Sequence, residues 1–405
     1  MTQNQAAHQR KPSLLLYFFA GLYFKLAYGR QFNLKVSGPS IKGPAVILSN
    51  HTSNHDYKFI ALSAYPRRVT FLSTYHWFTF KRLAPWLKRI GAIPKYQFTT
   101  DVLAMKRIKY VVQKNKGIIF IAPEGTIYGS GRLSYIAPSI CKMLKFLKVP
   151  VYAARIQGAG LGNAKWNKVQ HRGLVHVDKS LLFSKEEVLS LDSEVMLKRI
   201  KEALAFDEFE FQKEYDVHVE GDRRAEGLDD LLYKCPSCGR ELTLKTENNH
   251  IECTACKARA EVDDRCRLVW EGPIQYMDNY SQWYYWQHDQ LKKEMEDPLW
   301  RMESQVDYGI DEPGLNSYVK VGSGTLSLDR FRWLYKGSHM DESEYIEEEP
   351  VGAIALATLK MGVHIELPFK NGHCRVFYIN PDGRLAMKWH LASRIITENL
   401  NKEGE

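Results

Sequence analysis

No apolar stretch in this chain is long enough to cross a bilayer. The longest, Leu14 to Phe24, runs 11 residues before Lys25, where a spanning helix wants about 20. Arg10 and Lys11 precede it, but no small-residue cleavage site follows, which argues against a secretory signal. Repeats and low-complexity segments are also missing, and 44% hydrophobic with 12% aromatic residues in a chain of 405 excludes a disordered or fibrous protein. That length suits two to three domains with at least one sizeable core. Cysteine is sparse, at seven, and four of the seven fall in two CxxC pairs. The pattern suits metal better than a disulfide framework, and a reducing compartment. Acidic residues are scarce only in the first half. Residues 1–200 hold 31 Lys+Arg against 8 Asp+Glu, a net of +23, whereas residues 201–405 hold 25 against 39, a net of −14. A basic half of this size points to an anionic partner: nucleic acid, an anionic membrane surface or an acidic substrate carrier.

What is present begins with a polar tail, residues 1–12, and then the aromatic-rich SLLLYFFAGLYFKLAY, Ser13 to Tyr28. Flanked by Lys11, Lys25 and Arg30, it is expected to form a helix lying in a membrane interface, with packing on the protein's own core as the alternative. The expected placement is monotopic or peripheral, on the cytoplasmic face. From Gln31 onward strand-like runs alternate with helical ones, the pattern of an α/β fold. Strands are expected at 32–37, 46–49, 68–73 and 117–121, and helices at 57–65, 79–89 and 100–114.

Candidate chemistry sits where the apolar run AVIL breaks into SNHTSNHD, which carries His51 and Asp56. An offset of five positions lies about 140° around a helix, so His51 should occupy the turn before a helix and Asp56 its first turn. There the carboxylate can bind one ring nitrogen and fix the tautomer, leaving the other nitrogen as a general base. A helix cap made by Asn50, Ser53 or Asn54, with His51 solvated, is the alternative for the same residues. A second carboxylate, Glu124, follows the strand 117–121 in APEGT, Ala122 to Thr126. That is a strand terminus, where α/β sheets place ligand sites.

Taken in order, NHTSNHD, GAIPK (Gly91 to Lys95), APEGT and KVPVYAARIQGAG (Lys148 to Gly160) resemble the four blocks of the glycerolipid acyltransferases, the 1-acylglycerol-3-phosphate acyltransferase family. The resemblance covers residues 30 to 220. It implies a mostly parallel, twisted sheet flanked by helices, and transfer of a fatty acyl group from acyl-ACP or acyl-CoA to the free hydroxyl of a lysophospholipid, 1-acylglycerol-3-phosphate giving phosphatidate. In it His51 is the general base and Asp56 its orienting carboxylate. Glu124, Gly125 and Thr126 match the block associated with acceptor binding, with Glu124 suited to holding a cation or a basic side chain. Two positions depart from the family's pattern. An Arg usually stands six positions after the Gly of the second block, where this chain has Gln97, and Arg-Ser usually follows the Gly-Thr of the third, where it has Ile127 and Tyr128. A phosphate grip would then rest on Lys95 and Arg132, or the acceptor is not lysophosphatidate.

Further along, Cys235, Cys238, Cys253 and Cys256 form two CxxC pairs with fourteen residues between them. Four thiolates so spaced match a closed tetrahedral site for structural zinc, on a ribbon in which ELTLKTE and HIE make a hairpin. No redox cofactor is expected. A zinc ribbon can bind nucleic acid, but Lys234, Arg240, Lys245, Lys257 and Arg259 are offset by Glu241, Glu247, Glu252 and Glu261, a balance that disfavours a phosphate-gripping face. The expected organisation is a tail and interfacial helix (1–30), an acyltransferase domain (31–222), the zinc ribbon (223–265), an aromatic-rich helical linker (266–321) with its helix over 278–306, and a β-rich domain (322–405). That last segment, strands closed by one helix, weakly resembles a pleckstrin-homology-like or GRAM-like module. The rival functions are a lipid-binding or scaffold protein without turnover and a nucleic-acid binder.

Overall fold

The computed structural model describes residues 8–96, 101–311, 318–341, 343–354, 356–368 and 374–403. Gln97, one of the two departures, lies outside the described residues. The first half builds a sheet from β1 (Leu34–Ser37), β2 (Ala45–Leu48), β3 (Val69–Thr74), β4 (Ile93–Lys95), β5 (Ile118–Ile121), β6 (Val151–Gln157) and β7 (Val175–Phe183). Their spatial order is β1-β7-β6-β2-β5-β3-β4. Every neighbouring pair is parallel except β6 with β7, so the mostly parallel α/β sheet is present.

β2 explains its own sequence. Val46 and Leu48 enter one apolar cluster, with Ile108, Ile140 and Ile200, while Ala45 and Ile47 enter another, with Phe59 and Ile60. A strand covered on both faces needs four consecutive apolar residues rather than alternation. The covering helices are α1 (Leu14–Gln31), α2 (Asp56–Ala64), α3 (Ala84–Arg89), α4 (Val102–Gln113), α5 (Ser139–Leu147), α6 (Ala159–Asn163), α7 (Lys185–Ser190), α8 (Ser193–Leu204) and α9 (Glu208–Tyr215). The helix expected at 79–89 is shorter than its pattern, because Pro85 sits in the first turn of α3 and fixes the start there.

The second half corrects two boundaries. After α10 (Leu228–Leu231), an antiparallel sheet runs β8 (Leu244–Glu247), β9 (His250–Cys253), β10 (Arg259–Val262) and β11 (Leu268–Trp270). The cysteine-bearing module therefore continues past residue 265. Residues 266–321 are not a helical linker: α11 spans Tyr280–Glu294, and Met302–Asp311 is a strand, β12. Met302, Ser304, Val306 and Tyr308 are all buried, the two-residue period of a strand with one face inward. β12 lies inside a second sheet with β13 (Tyr318–Leu328), β14 (Arg332–His339), β15 (Glu344–Pro350), β16 (Thr358–Lys360), β17 (His364–Pro368) and β18 (Cys374–Asn380). The order is β15-β14-β13-β12-β18-β17-β16, so the β-rich unit begins at Met302 rather than at 322. A closing helix, α12 (Ala386–Glu403), packs against it. One continuous apolar core joins Leu161 and Phe209 of the first half to Ile251, Trp283, Tyr335 and Leu391.

Candidate active site

The loop leaving β2 carries His51, and Asp56 is the first residue of α2, fully buried. Asp56 Oδ2 lies 2.7 Å from His51 Nδ1 and accepts from the Thr52 and Ser53 amides at 2.7 and 3.0 Å, while Oδ1 accepts from the Thr52 hydroxyl at 3.2 Å. The carboxylate is the acceptor in each of these hydrogen bonds. It therefore keeps a proton on His51 Nδ1 and leaves the Nε2 lone pair free. Among the described residues Nε2 makes no hydrogen bond. The ring is 26% exposed and lines a small cleft together with Thr52, Tyr128 and Arg132. Asn50 does not cap α2. Its amide ties β2 to β6, donating to Ile156 O and accepting from Ile156 N, both at 2.7 Å, and the N-cap position is His55.

Glu124, in the turn after β5, is buried. Its Oε1 accepts from the His51 amide at 2.7 Å and its Oε2 from the Ser134 amide at 2.9 Å. The partners shown are thus backbone amides, where the sequence suggested a cation or a basic side chain. Two amides at a buried strand end lack ladder partners, and the carboxylate supplies both acceptors. Burial raises its pKa from the ordinary 4.5 to about 7, against the lowering effect of those two amides. Gly125 turns the chain at φ +73°, and buried Thr126 follows. Neither lines the cleft.

Arg132 is brought to the cleft and Lys95 is not. Arg132 lines it together with His51. Lys95 ends the edge strand β4, three strands from β2, or about 14 Å at roughly 4.8 Å per strand, and its Nζ donates to Tyr96 O at 2.9 Å. Ile127 and Tyr128 are both buried, and the Tyr128 ring meets His390 and Arg394 of α12 at 5.3 Å each. Tyr128 thus packs on the C-terminal helix and also lines the cleft.

Several residues of the site were not anticipated. Phe206 and Tyr280 line the cleft, as does Gly160. Glu208 accepts from the amides of Gly158 at 2.5 Å and Gly160 at 2.8 Å, and burial pushes its pKa up to about 8. A Cβ on Gly160 would come within 2.7 Å of that carboxylate, so only glycine fits. The Gly129-Ser130-Gly131 run directly after the PEG turn was an available signal for a site loop. Nothing local marks Glu208 or Tyr280.

A separate cluster holds Cys235, Cys238, Cys253 and Cys256, whose sulfurs all lie within 4.8 Å of one another. Cys235–Cys256 and Cys238–Cys253 are each 3.8 Å apart. A tetrahedral site with Zn–S of about 2.3 Å has S···S edges of about 3.8 Å, so the donor set fits a metal such as zinc. In each knuckle the residue after the second cysteine has positive φ, Gly239 at 72° and Lys257 at 66°, and its amide donates at 2.9 Å to the carbonyl of the first.

The site is thus a histidine fixed by a buried carboxylate at the C-terminal rim of a mostly parallel α/β sheet. Residues 30–157 match the family described as Acyltransferase. That span is about a third of the chain and holds the NHTSNHD, GAIPK and APEGT blocks. A solved structure, the 1-acyl-sn-glycerophosphate (LPA) acyltransferase PlsC from Thermotoga maritima, is 18% identical, with a TM-score of 0.40 and an alignment covering 47% of this chain and 76% of that one. No curated protein matches the chain significantly.

Proposed function

We propose that the protein transfers a fatty acyl group from an acyl thioester, acyl-ACP or acyl-CoA, to the free hydroxyl of a lysophospholipid. The acceptor the family resemblance favours is 1-acylglycerol-3-phosphate, giving phosphatidate. The observation that carries this is the 2.7 Å His51–Asp56 pair, made through Nδ1 by a ring that lines a cleft. Nε2 takes the proton of the acceptor hydroxyl as its oxygen attacks the thioester carbonyl carbon. The C–S bond breaks, the leaving sulfur takes the proton back from the imidazolium, and an ester and a thiol result. Asp56 stabilises the transient imidazolium.

Other features fit the same reading. Leu15, Phe18, Phe19, Leu22 and Leu26 of α1 are exposed, as are Trp77 and Trp86 near Lys81, Arg82, Lys88 and Arg89. That combination suits docking on an anionic membrane surface, on the cytoplasmic face where the thioester donors are made. Among the described residues no helix is long and apolar enough to cross a membrane. The four cysteines are assigned to structural zinc: four protein thiolates close a tetrahedral site and leave no position for substrate.

His51→Ala should lower acyl transfer to lysophosphatidate by roughly 10²–10⁴-fold with either thioester, while leaving thermal stability and lipid binding intact. Retained turnover would sink the mechanism. A wild-type protein that consumes no thioester with any lysolipid would favour lipid binding without catalysis instead.

A further inference from the structure

The cleft beside His51 is walled on one side by residues that the first half of the chain does not supply. Tyr280, the first residue of α11, lines it, and its hydroxyl donates to Gly160 O at 3.0 Å. Gly131, at φ +78°, lies so close to α11 that a Cβ there would stand 3.3 Å from Ser281 Cβ and 3.4 Å from the Tyr280 hydroxyl. The loop and the helix are fitted to each other at van der Waals range. From the other side Glu208 N donates to Gly131 O at 3.0 Å, and Arg132 bridges to Asp207.

Between these two supports stands the Arg132 side chain. Nε donates to Asp207 Oδ2 at 2.6 Å, and the guanidinium carbon lies 5.2 Å from the centre of the Tyr285 ring of α11. Tyr285 also reaches the loop through its hydroxyl, 3.4 Å from Ser130 Oγ. Neither Nη group hydrogen-bonds to the described residues. A guanidinium held through Nε and through its face, with no Nη hydrogen bond to the described residues, on a residue that lines the same cleft as His51, can meet a two-oxygen anion.

We propose that α11 completes the acceptor subsite, with Tyr285 and Asp207 holding the Arg132 guanidinium to receive the phosphate monoester of a lysophospholipid. This rests on the acyltransferase reading above. It makes Tyr285 a positioning residue for acceptor choice, supplied by the segment that follows the cysteine module.

The test is kinetic and uses the full chain. Tyr285→Ala should raise KM for 1-acylglycerol-3-phosphate about fivefold, the loss expected for one cation–π contact. kcat and the thioester KM should stay unchanged, as should transfer to 1-acylglycerol, which lacks the phosphate. Tyr285→Phe keeps the ring and should keep the wild-type KM. An unchanged KM in Tyr285→Ala, or equal losses with both acceptors, overturns the proposal. If no thioester is consumed with any lysolipid, the acyltransferase reading fails separately, and equilibrium binding of 1-acylglycerol-3-phosphate to His51→Ala with and without Tyr285→Ala then decides. About fivefold weaker binding in the double variant supports the assignment of Tyr285; equal binding, or none to either protein, overturns it.

Discussion

Glu124 shows how far a single residue could be read in advance. Its place after a strand was evident, and so was its nearness to the site. Its partners were not, because a carboxylate in a PEG turn looks the same whether it faces a cation or two amides. By binding the His51 and Ser134 amides it ties the loop that carries the base to the loop that leads to the cleft. The pKa of about 7 makes this tie sensitive to pH. Below that value one carboxylate oxygen carries a proton, which competes with an amide N–H for it, so acyl transfer should fall on the acid side of it. Stability runs the other way. The folded-state value lies above the ordinary 4.5, so the folded chain holds this proton more tightly than the unfolded chain, and stability declines as pH rises from 4.5 towards 7. Glu208, raised to about 8, adds a decline of the same sign. Glu124→Gln removes one of the two titrations and leaves one amide without its acceptor. We expect kcat to fall by roughly one to two orders of magnitude, for a lost charged hydrogen bond of about 1.5–3 kcal/mol, and the dependence of Tm on pH between 4.5 and 7 to flatten. An unaltered Tm profile would remove Glu124 from the account.

At the scale of elements, α1 and β12 make a contrast. The apolar run of α1 was legible and its helix forms, from Leu14 to Gln31. Its sequence is apolar nearly all round because two faces have different uses. On one side the Tyr17 hydroxyl accepts from the Val69 amide at 3.2 Å and Gly21 abuts the Tyr65 ring, while Leu15, Phe19 and Leu22 point to solvent on the other. The alternative of packing on the protein's own core is met by one face of this helix, and the other is exposed. β12 was misread for the opposite reason. The helical reading over 278–306 takes in Met302 to Val306, although the buried residues of the strand there recur every second position. The outward face of α1 carries its own prediction. Replacing Leu15 and Phe19 together by Glu should weaken co-sedimentation with vesicles containing phosphatidylglycerol at least tenfold, given about 1.5–3 kcal/mol for burying each side chain. Tm should hardly change, since Leu15 is 71% and Phe19 62% exposed. Unchanged co-sedimentation would mean that α1 does not dock the protein.

Across the whole molecule, five segments were read from composition and spacing, and the four-block signature of the first half was read well. The coupling between segments was not, because contacts between residues far apart in sequence leave no local pattern. Tyr128, in the loop after APEGT, packs on α12 near the end of the chain. The cysteine module is fastened to α11: Trp283 Nε1 donates to Lys234 O at 2.8 Å, and the Tyr233 amide donates to Gln287 Oε1 at 3.0 Å. α11 in turn carries Tyr280 to the cleft beside His51. The apolar core that contains Leu244, Ile251 and Trp270 of the ribbon also contains Leu161, Phe209 and Tyr280. Losing the metal should therefore act beyond the ribbon. The protein should contain one zinc ion per chain by elemental analysis, and stripping it with a chelator should lower Tm by at least about 5 °C. The melting transition should stay single, because the ribbon has no core of its own to unfold first. Acyl transfer should weaken mainly through a raised acceptor KM, as α11 loosens from the Gly131 loop. Two separate transitions, with acyl transfer unchanged in the stripped protein, would show instead that the cysteine module stands apart from the catalytic half.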